Sequence, residues 1–153
     1  PKLLILDEPI SALDVSIQAA MLNLLNDLQN KLKLTYLFIG HDLNVVRYLC
    51  DRVAVMYLGE FVELGKTEDI FTHSHHPYTK ALIKSSLELA KDKSAHPFYT
   101  LKAEIPSPLN LPSGCTFHKR CPQAQEKCKE QVPHLKDVAA STESHLSSCY
   151  ISS

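Results

Sequence analysis

Two adjacent acids, Asp7 and Glu8, close the apolar run Leu3-Leu4-Ile5-Leu6. An apolar strand that delivers carboxylates at its carboxyl end has the layout of a ligand site in an open α/β sheet. Adjacent acids placed there can divide the labour of phosphoryl transfer. Asp7 would hold Mg²⁺ through water, because Mg²⁺ dehydrates reluctantly. Glu8 would polarise the attacking water. The plainer reading is a strand that ends in solvent on two charges, and the dipeptide alone does not decide between them. Further along, Asp14 and His41 carry the same chemical interest, each with its own plain alternative. Asp14 precedes an amphipathic stretch and suits a helix N-cap, worth about 1 kcal/mol. His41 follows an apolar run and suits a loop.

A second group lies toward the other end. Cys115, Cys121, Cys128 and Cys149 follow one another as C-x5-C-x6-C-x20-C. This spacing is wider than a zinc knuckle, so by itself it is a weak metal signal. Four thiols in a loop-rich stretch with little core are more simply read as one cluster than as four buried apolar side chains, since small modules need a staple. Zinc, and unligated or disulfide-paired thiols, stay open on this ground. His118, His134 and His145 lie close enough in sequence for mixed ligation. The fifth cysteine, Cys50, reads as a small buried hydrophobe in a helix. His73, His75 and His76 read as a solvated loop.

The elements that must position these groups are legible from periodicity. Residues 3–6 form a strand. Ile17, Ala20, Met21, Leu24, Leu25, Leu28 and Leu32 recur at helical spacing and predict a helix over 15–32. Thr35–Ile39 reads as a second strand, 43–50 as a short helix and 52–57 as a third strand. Gly59 opens a hairpin into 60–64. Helices are expected over 66–71 and 78–89, the second started by Pro77. Strand, helix, strand, helix, strand is a parallel α/β pattern, and runs apolar throughout suit strands covered on both faces. From Lys91 the texture changes, and Pro97, Pro106, Pro108 and Pro112 mark an irregular linker. A boundary is therefore expected near 92, with one part over 1–92 and a cysteine-containing tail over 93–153.

Composition narrows the function classes. The 153 residues are 44% hydrophobic and carry a formal net charge of −1, enough apolar content for a core but without the basic stripe of a nucleic-acid binder. No apolar run approaches the roughly 20 residues of a membrane helix. The chain opens on Pro1 and is already in a strand at Leu3, which reads as a cut through the middle of a larger domain. Cysteines without a leader favour a reducing compartment over a disulfide framework.

Leu6-Asp7-Glu8-Pro9, then Ser11-Ala12-Leu13-Asp14, then Gly40-His41-Asp42 form an ordered set. It resembles the Walker B strand, the D-loop and the switch-histidine loop of ABC-transporter ATPases. By that resemblance His41 reaches the γ-phosphate and orients Glu8, and Asp14 lies where two ATPase subunits meet. Ile10 stands where the group generally has Thr, and Gly40 where it has Ser or Thr. No G-x-x-x-x-G-K-[ST] loop occurs in the sequence, nor a Ser-Gly-Gly segment. The backbone cradle for the phosphates of ATP is thus missing, and these residues alone are expected to be inactive.

Cys50-Asp51-Arg52-Val53, Met56-Tyr57-Leu58-Gly59, Val62-Glu63-Leu64-Gly65, His76-Pro77-Tyr78-Thr79 and the tail Gly114-Cys115, Phe117, Arg120-Cys121-Pro122 resemble, more specifically, the oligopeptide and dipeptide importers. The Pro-Ser-Pro and Pro-Ser-Gly-Cys stretch looks closer to the second of their paired ATPases. The resemblance implies the C-terminal part of a P-loop NTPase sheet with flanking helices, ATP and Mg²⁺ as ligands, and a place on the cytoplasmic face of the bacterial inner membrane. Implied partners are a second ATPase subunit (the same or different), transmembrane permease subunits and, indirectly, an extracytoplasmic peptide-binding protein, with no nucleic acid. It implies a [4Fe–4S] cluster on Cys115, Cys121, Cys128 and Cys149, zinc being the runner-up. Two rival functions share these motifs. One is a soluble ABC ATPase of DNA repair or translation. The other is a non-catalytic remnant that binds a cluster or a partner.

Overall fold

The computed structural model describes residues 1–90, 104–138 and 144–151. The chain forms two compact units, Pro1–Asp51 and Arg52–Ser153. The boundary expected near 92 lies outside the described residues.

The first unit carries β1 (Leu3–Asp7), α1 (Val15–Leu32), β2 (Thr35–Ile39) and α2 (Leu43–Leu49). β1 and β2 pair in parallel, from Leu3 opposite Thr35 to Asp7 opposite Ile39. α1 starts on Asp14, whose carboxylate accepts from the Ile17 N–H at 3.0 Å. It ends where Lys33 turns left-handed at φ 53°, so the crossover returns the chain into β2. α2 is capped by Asp42, which accepts from the Asn44 and Val45 N–H groups. Leu25, Val45 and Ile10 are the buried apolar residues here. The strands are not covered on both faces as their composition predicts. Leu3, Ile5, Leu37 and Ile39 are each about half exposed, since they project from one side of a two-stranded sheet against which these 51 residues pack no layer.

The second unit begins with an antiparallel hairpin, β3 (Arg52–Tyr57) and β4 (Glu60–Lys66). The third strand therefore does not join β1 and β2, as the parallel pattern predicts. Leu58 and Gly59, at φ 47° and 85°, form a tight turn with positive φ at both central positions, which reverses the chain at once. α3 (Thr67–Thr72) and α4 (Pro77–Ala90) follow. Farther on come α5 (Glu126–Glu130) and the two-residue strands β5 (Lys136–Asp137) and β6 (Leu146–Ser147). β6 lies between β4 and β5, giving the order β3-β4-β6-β5. The cysteine-containing stretch is thus stitched into the hairpin's sheet. The core beneath it is aromatic: Tyr57 stands 4.7 Å from Tyr78 and 5.3 Å from Phe117, ring centre to ring centre. Among the described residues no helix is long and apolar enough to cross a membrane.

Candidate functional site

The parallel register brings Asp7-Glu8 and Gly40-His41 to the same edge of the sheet. Just past the last ladder pair, the Glu8 N–H donates to the Ile39 carbonyl at 2.9 Å. Glu8 then takes φ 43°, a left-handed conformation that a residue with a long side chain holds only when its surroundings fix it. Ser11 does that fixing. Its N–H and its hydroxyl both donate to the Glu8 carbonyl, at 3.3 and 3.1 Å. The bend aims the carboxylate at His41, with Glu8 Oε1 3.2 Å from His41 Nδ1. The two side chains are 52% and 76% exposed, and an ion pair so wet adds little stability. Its interest is chemical: a carboxylate and an imidazole share one opening where a water can sit.

That opening is a recess of about 390 Å³, solvent mouth included, walled by Glu8, Ser11, Gln18, Phe38, Gly40 and His41 among others. Asp7 and Asp14 lie outside its walls. Sequence reasoning missed Gln18, whose amide donates to the Ile10 and Leu13 carbonyls at 3.1 and 3.0 Å. It pins the turn between β1 and α1, and nothing in a polar helix residue announces such a role. The departure at Gly40 has a local account. A Cβ there would stand 2.8 Å from Phe38 Cε1, so the glycine accommodates the ring beside it. Ile10, the other departure, is buried.

Cys115, Cys121, Cys128 and Cys149 all line one recess, with Phe117 and His118 in its wall. Gly114 makes the approach possible: it sits at φ 64°, and a Cβ would lie 2.4 Å from the Cys128 carbonyl oxygen. The Cys115 N–H donates to that same oxygen at 2.8 Å. All five cysteines are free thiols. Burial pushes the Cys115 thiol up to about 11, partly offset by a backbone hydrogen bond and reinforced by the neighbouring thiols. Burial raises Cys121 as well. As placed, no three His, Cys, Asp or Glu side chains among the described residues form a group close enough for a metal ion. The thiols share a recess without converging on a single point.

Of the histidines considered for mixed ligation, only His118 lines the recess. Its Nδ1 lies 2.9 Å from the Cys115 carbonyl, which can only accept, so Nδ1 is the donor in that bond. His134 is exposed, and His145 is taken up by Glu63 at 2.8 Å. His76 corrects the expectation of a solvated loop. It is 1% exposed, and desolvation by burial, opposed in part by Glu63, lowers it to about 4. Cys50 is half-buried at the C-cap of α2 rather than within it. Desolvation, then the charge of Asp51, raises its thiol.

Residues 62–128 match the family model described as oligopeptide/dipeptide transporter, C-terminal region. The oligopeptide transport ATP-binding protein AppF of Bacillus subtilis is 50% identical over 99% of this chain. By these likenesses the chain is similar to the ATP-binding proteins of oligopeptide and dipeptide transporters. The dipeptide transport ATP-binding protein DppF of Haemophilus influenzae is 47% identical over 98% of it. A di/tripeptide transport ATP-binding protein of Pseudomonas aeruginosa, also named DppF, is 48% identical over 89%. The chain spans 45% of the length of the first two relatives and 42% of the third. The motif residues of the first unit lie outside the stretch matched by the family model, and the cysteines from 115 to 128 lie at its end.

Proposed function

We propose that these residues form the metal-and-water half of an ATP site in a subunit that energises peptide import. The observation that carries this is the Glu8–His41 approach of 3.2 Å at the carboxyl edge of a parallel sheet. Glu8 polarises the attacking water, and His41 holds Glu8 and meets the γ-phosphate. Asp7 would hold Mg²⁺, which would neutralise phosphate charge, and Asp14 would face a second ATPase subunit. ATP binding then closes two subunits, and hydrolysis reopens them, driving transport through membrane-spanning partners at the inner face of the bacterial membrane. The relatives' names, oligopeptide and dipeptide transport ATP-binding proteins, support the substrate class.

Phosphates need a backbone cradle, and the sequence contains no such loop, so the 153 residues alone are inactive. The test is phosphate release by this polypeptide, alone and substituted for the matching stretch of AppF. Turnover only in the chimera, reduced about 100-fold or more by Glu8→Gln, is the expected result. A chimera that binds ATP but never turns over, or turnover indifferent to Glu8→Gln and His41→Ala, would overturn the reading.

For the four thiols that line one recess we propose a resident metal group, [4Fe–4S] ahead of zinc, since thiolates are suitable ligands for either. Cys115, Cys121, Cys128 and Cys149 would hold it, and when bound it would cross-link a stretch that has little core. Absorption and iron analysis after anaerobic reconstitution decide between iron and zinc. A protein that takes up neither sinks this assignment without touching the ATPase one.

A further inference from the structure

Outside both sites, the second unit buries a charged side chain completely. Glu63, in the middle of β4, is 0% exposed. Its Oε1 accepts from the His75 N–H at 2.6 Å and stands 2.8 Å from His145 Nε2, while Oε2 accepts from the His76 N–H at 3.0 Å. A buried carboxylate is tolerated only when its lone pairs are met in this way. Three segments far apart in sequence therefore meet on one side chain: β4, the entry to α4, and the last described stretch of the chain.

The surroundings are shaped for His145 in particular. Its side chain is 5% exposed. A Cβ on Gly65 would lie 3.2 Å from His145 Cδ2, so the glycine leaves the slot that the imidazole fills. The ring packs edge-on to His75 at 4.9 Å, and the His145 N–H reaches Asp137 Oδ1 at 3.4 Å. Immediately after it, Leu146 and Ser147 pair with Leu64 and Glu63, and the Ser148 N–H donates to the Val62 carbonyl at 2.8 Å. The next residue is Cys149, which lines the thiol recess. β6 is only two residues long, too short a ladder to fix a register unaided.

We infer that Glu63 and His145 are positioning residues for the thiol centre, a buried latch that holds β6 in register and thereby delivers Cys149 to the other three cysteines. The inference rests on the metal reading above for its purpose, and on the contacts just described for its geometry. Latch and metal stabilise the same docked strand, so they are thermodynamically linked: opening the latch weakens metal retention, and loading the metal protects the latch.

The experiment is residue-resolved alkylation with iodoacetamide, read by mass spectrometry on the full chain, before and after anaerobic reconstitution with iron and sulfide. Glu63→Gln and His145→Ala should speed alkylation of Cys149 about tenfold or more in the metal-free protein, as local opening does. Cys115 and Cys121 should change far less. His145→Gln, which keeps an N–H donor, should restore much of the protection. Gly65→Ala, which crowds the imidazole and leaves both partners in place, should act in the same direction if the first two variants fail to fold. After reconstitution the variants should lose iron to a chelator faster than the unaltered chain. Equal acceleration at all four cysteines, or none at Cys149, overturns the latch. An unaltered chain that takes up no iron sinks the metal reading alone, because the metal-free alkylation arm still reads the latch.

Discussion

At the scale of single residues, the two sites differ in how they show in a sequence. Glu8 and His41, which the structure brings to 3.2 Å, are legible because an acid and a histidine at the ends of apolar strands have no packing reason to be there. Ser11 and Gln18 were not legible, since their contribution is a hydrogen bond to a carbonyl three to eight positions away, and polar residues in turns make such bonds for many purposes. Glu63 was hidden for another reason. A single acid in an apolar strand reads as an edge position, and the donors that bury it come from residues 75, 76 and 145. Gly114 is the residue on which the thiol recess depends most directly. In Gly114→Ala the new methyl group would meet backbone atoms at 2.4 to 2.8 Å, and backbone cannot turn aside as a side-chain tip can. A left-handed φ of 64° adds its own cost of about 1 kcal/mol. We expect a loss of roughly 2 kcal/mol or more in urea unfolding, with Cys115 separated from Cys128. Unchanged stability and unchanged alkylation of those two thiols would contradict this.

At the scale of elements, periodicity placed the longer helices and the first three strands to within a residue or two, because each carries an apolar pattern of its own. It could not place β5 and β6, which are two residues long and exist only through pairing with β4. Nor could it show that the entry to α4 is interior. His76 is enclosed there, with Nδ1 accepting from the Tyr78 N–H at 3.1 Å, so it folds as the neutral ring. Its proton affinity falls from the usual 6.5 to about 4. The unfolded chain therefore binds a proton that the folded chain refuses between these two values. The stabilisation is intact above pH 6.5, declines as the pH falls toward 4, and changes no further below it. The full decline is about 3 kcal/mol. Urea midpoints at pH 7, 5.5 and 4 in the metal-free protein measure it, and His76→Gln, which keeps an acceptor for Tyr78, should flatten the dependence. Parallel profiles for the two proteins would show that another group titrates instead.

At the scale of the whole molecule, the two units handle their apolar surface differently. The second closes a core of rings and short strands around Tyr57, Tyr78 and Phe117. The first leaves Leu3, Ile5, Leu37 and Ile39 between 47% and 59% exposed, all contributed by the paired strands β1 and β2. Parallel strands are stable when both faces are covered, and a sheet of two is marginal unless something packs on it. An apolar patch of this kind invites association. The 153-residue polypeptide by itself should accordingly bind 8-anilinonaphthalene-1-sulfonate and elute larger than its monomer mass of 17.1 kDa in size-exclusion chromatography. Leu3→Lys with Leu37→Lys should reverse both effects, since charge on an open sheet face opposes stacking. The AppF chimera should lose dye binding without those changes, because the residues it adds bring the remaining 55% of a relative whose matched share is 45%. Dye binding that survives in the chimera would mean that the exposed leucines and isoleucines are not where the added residues pack.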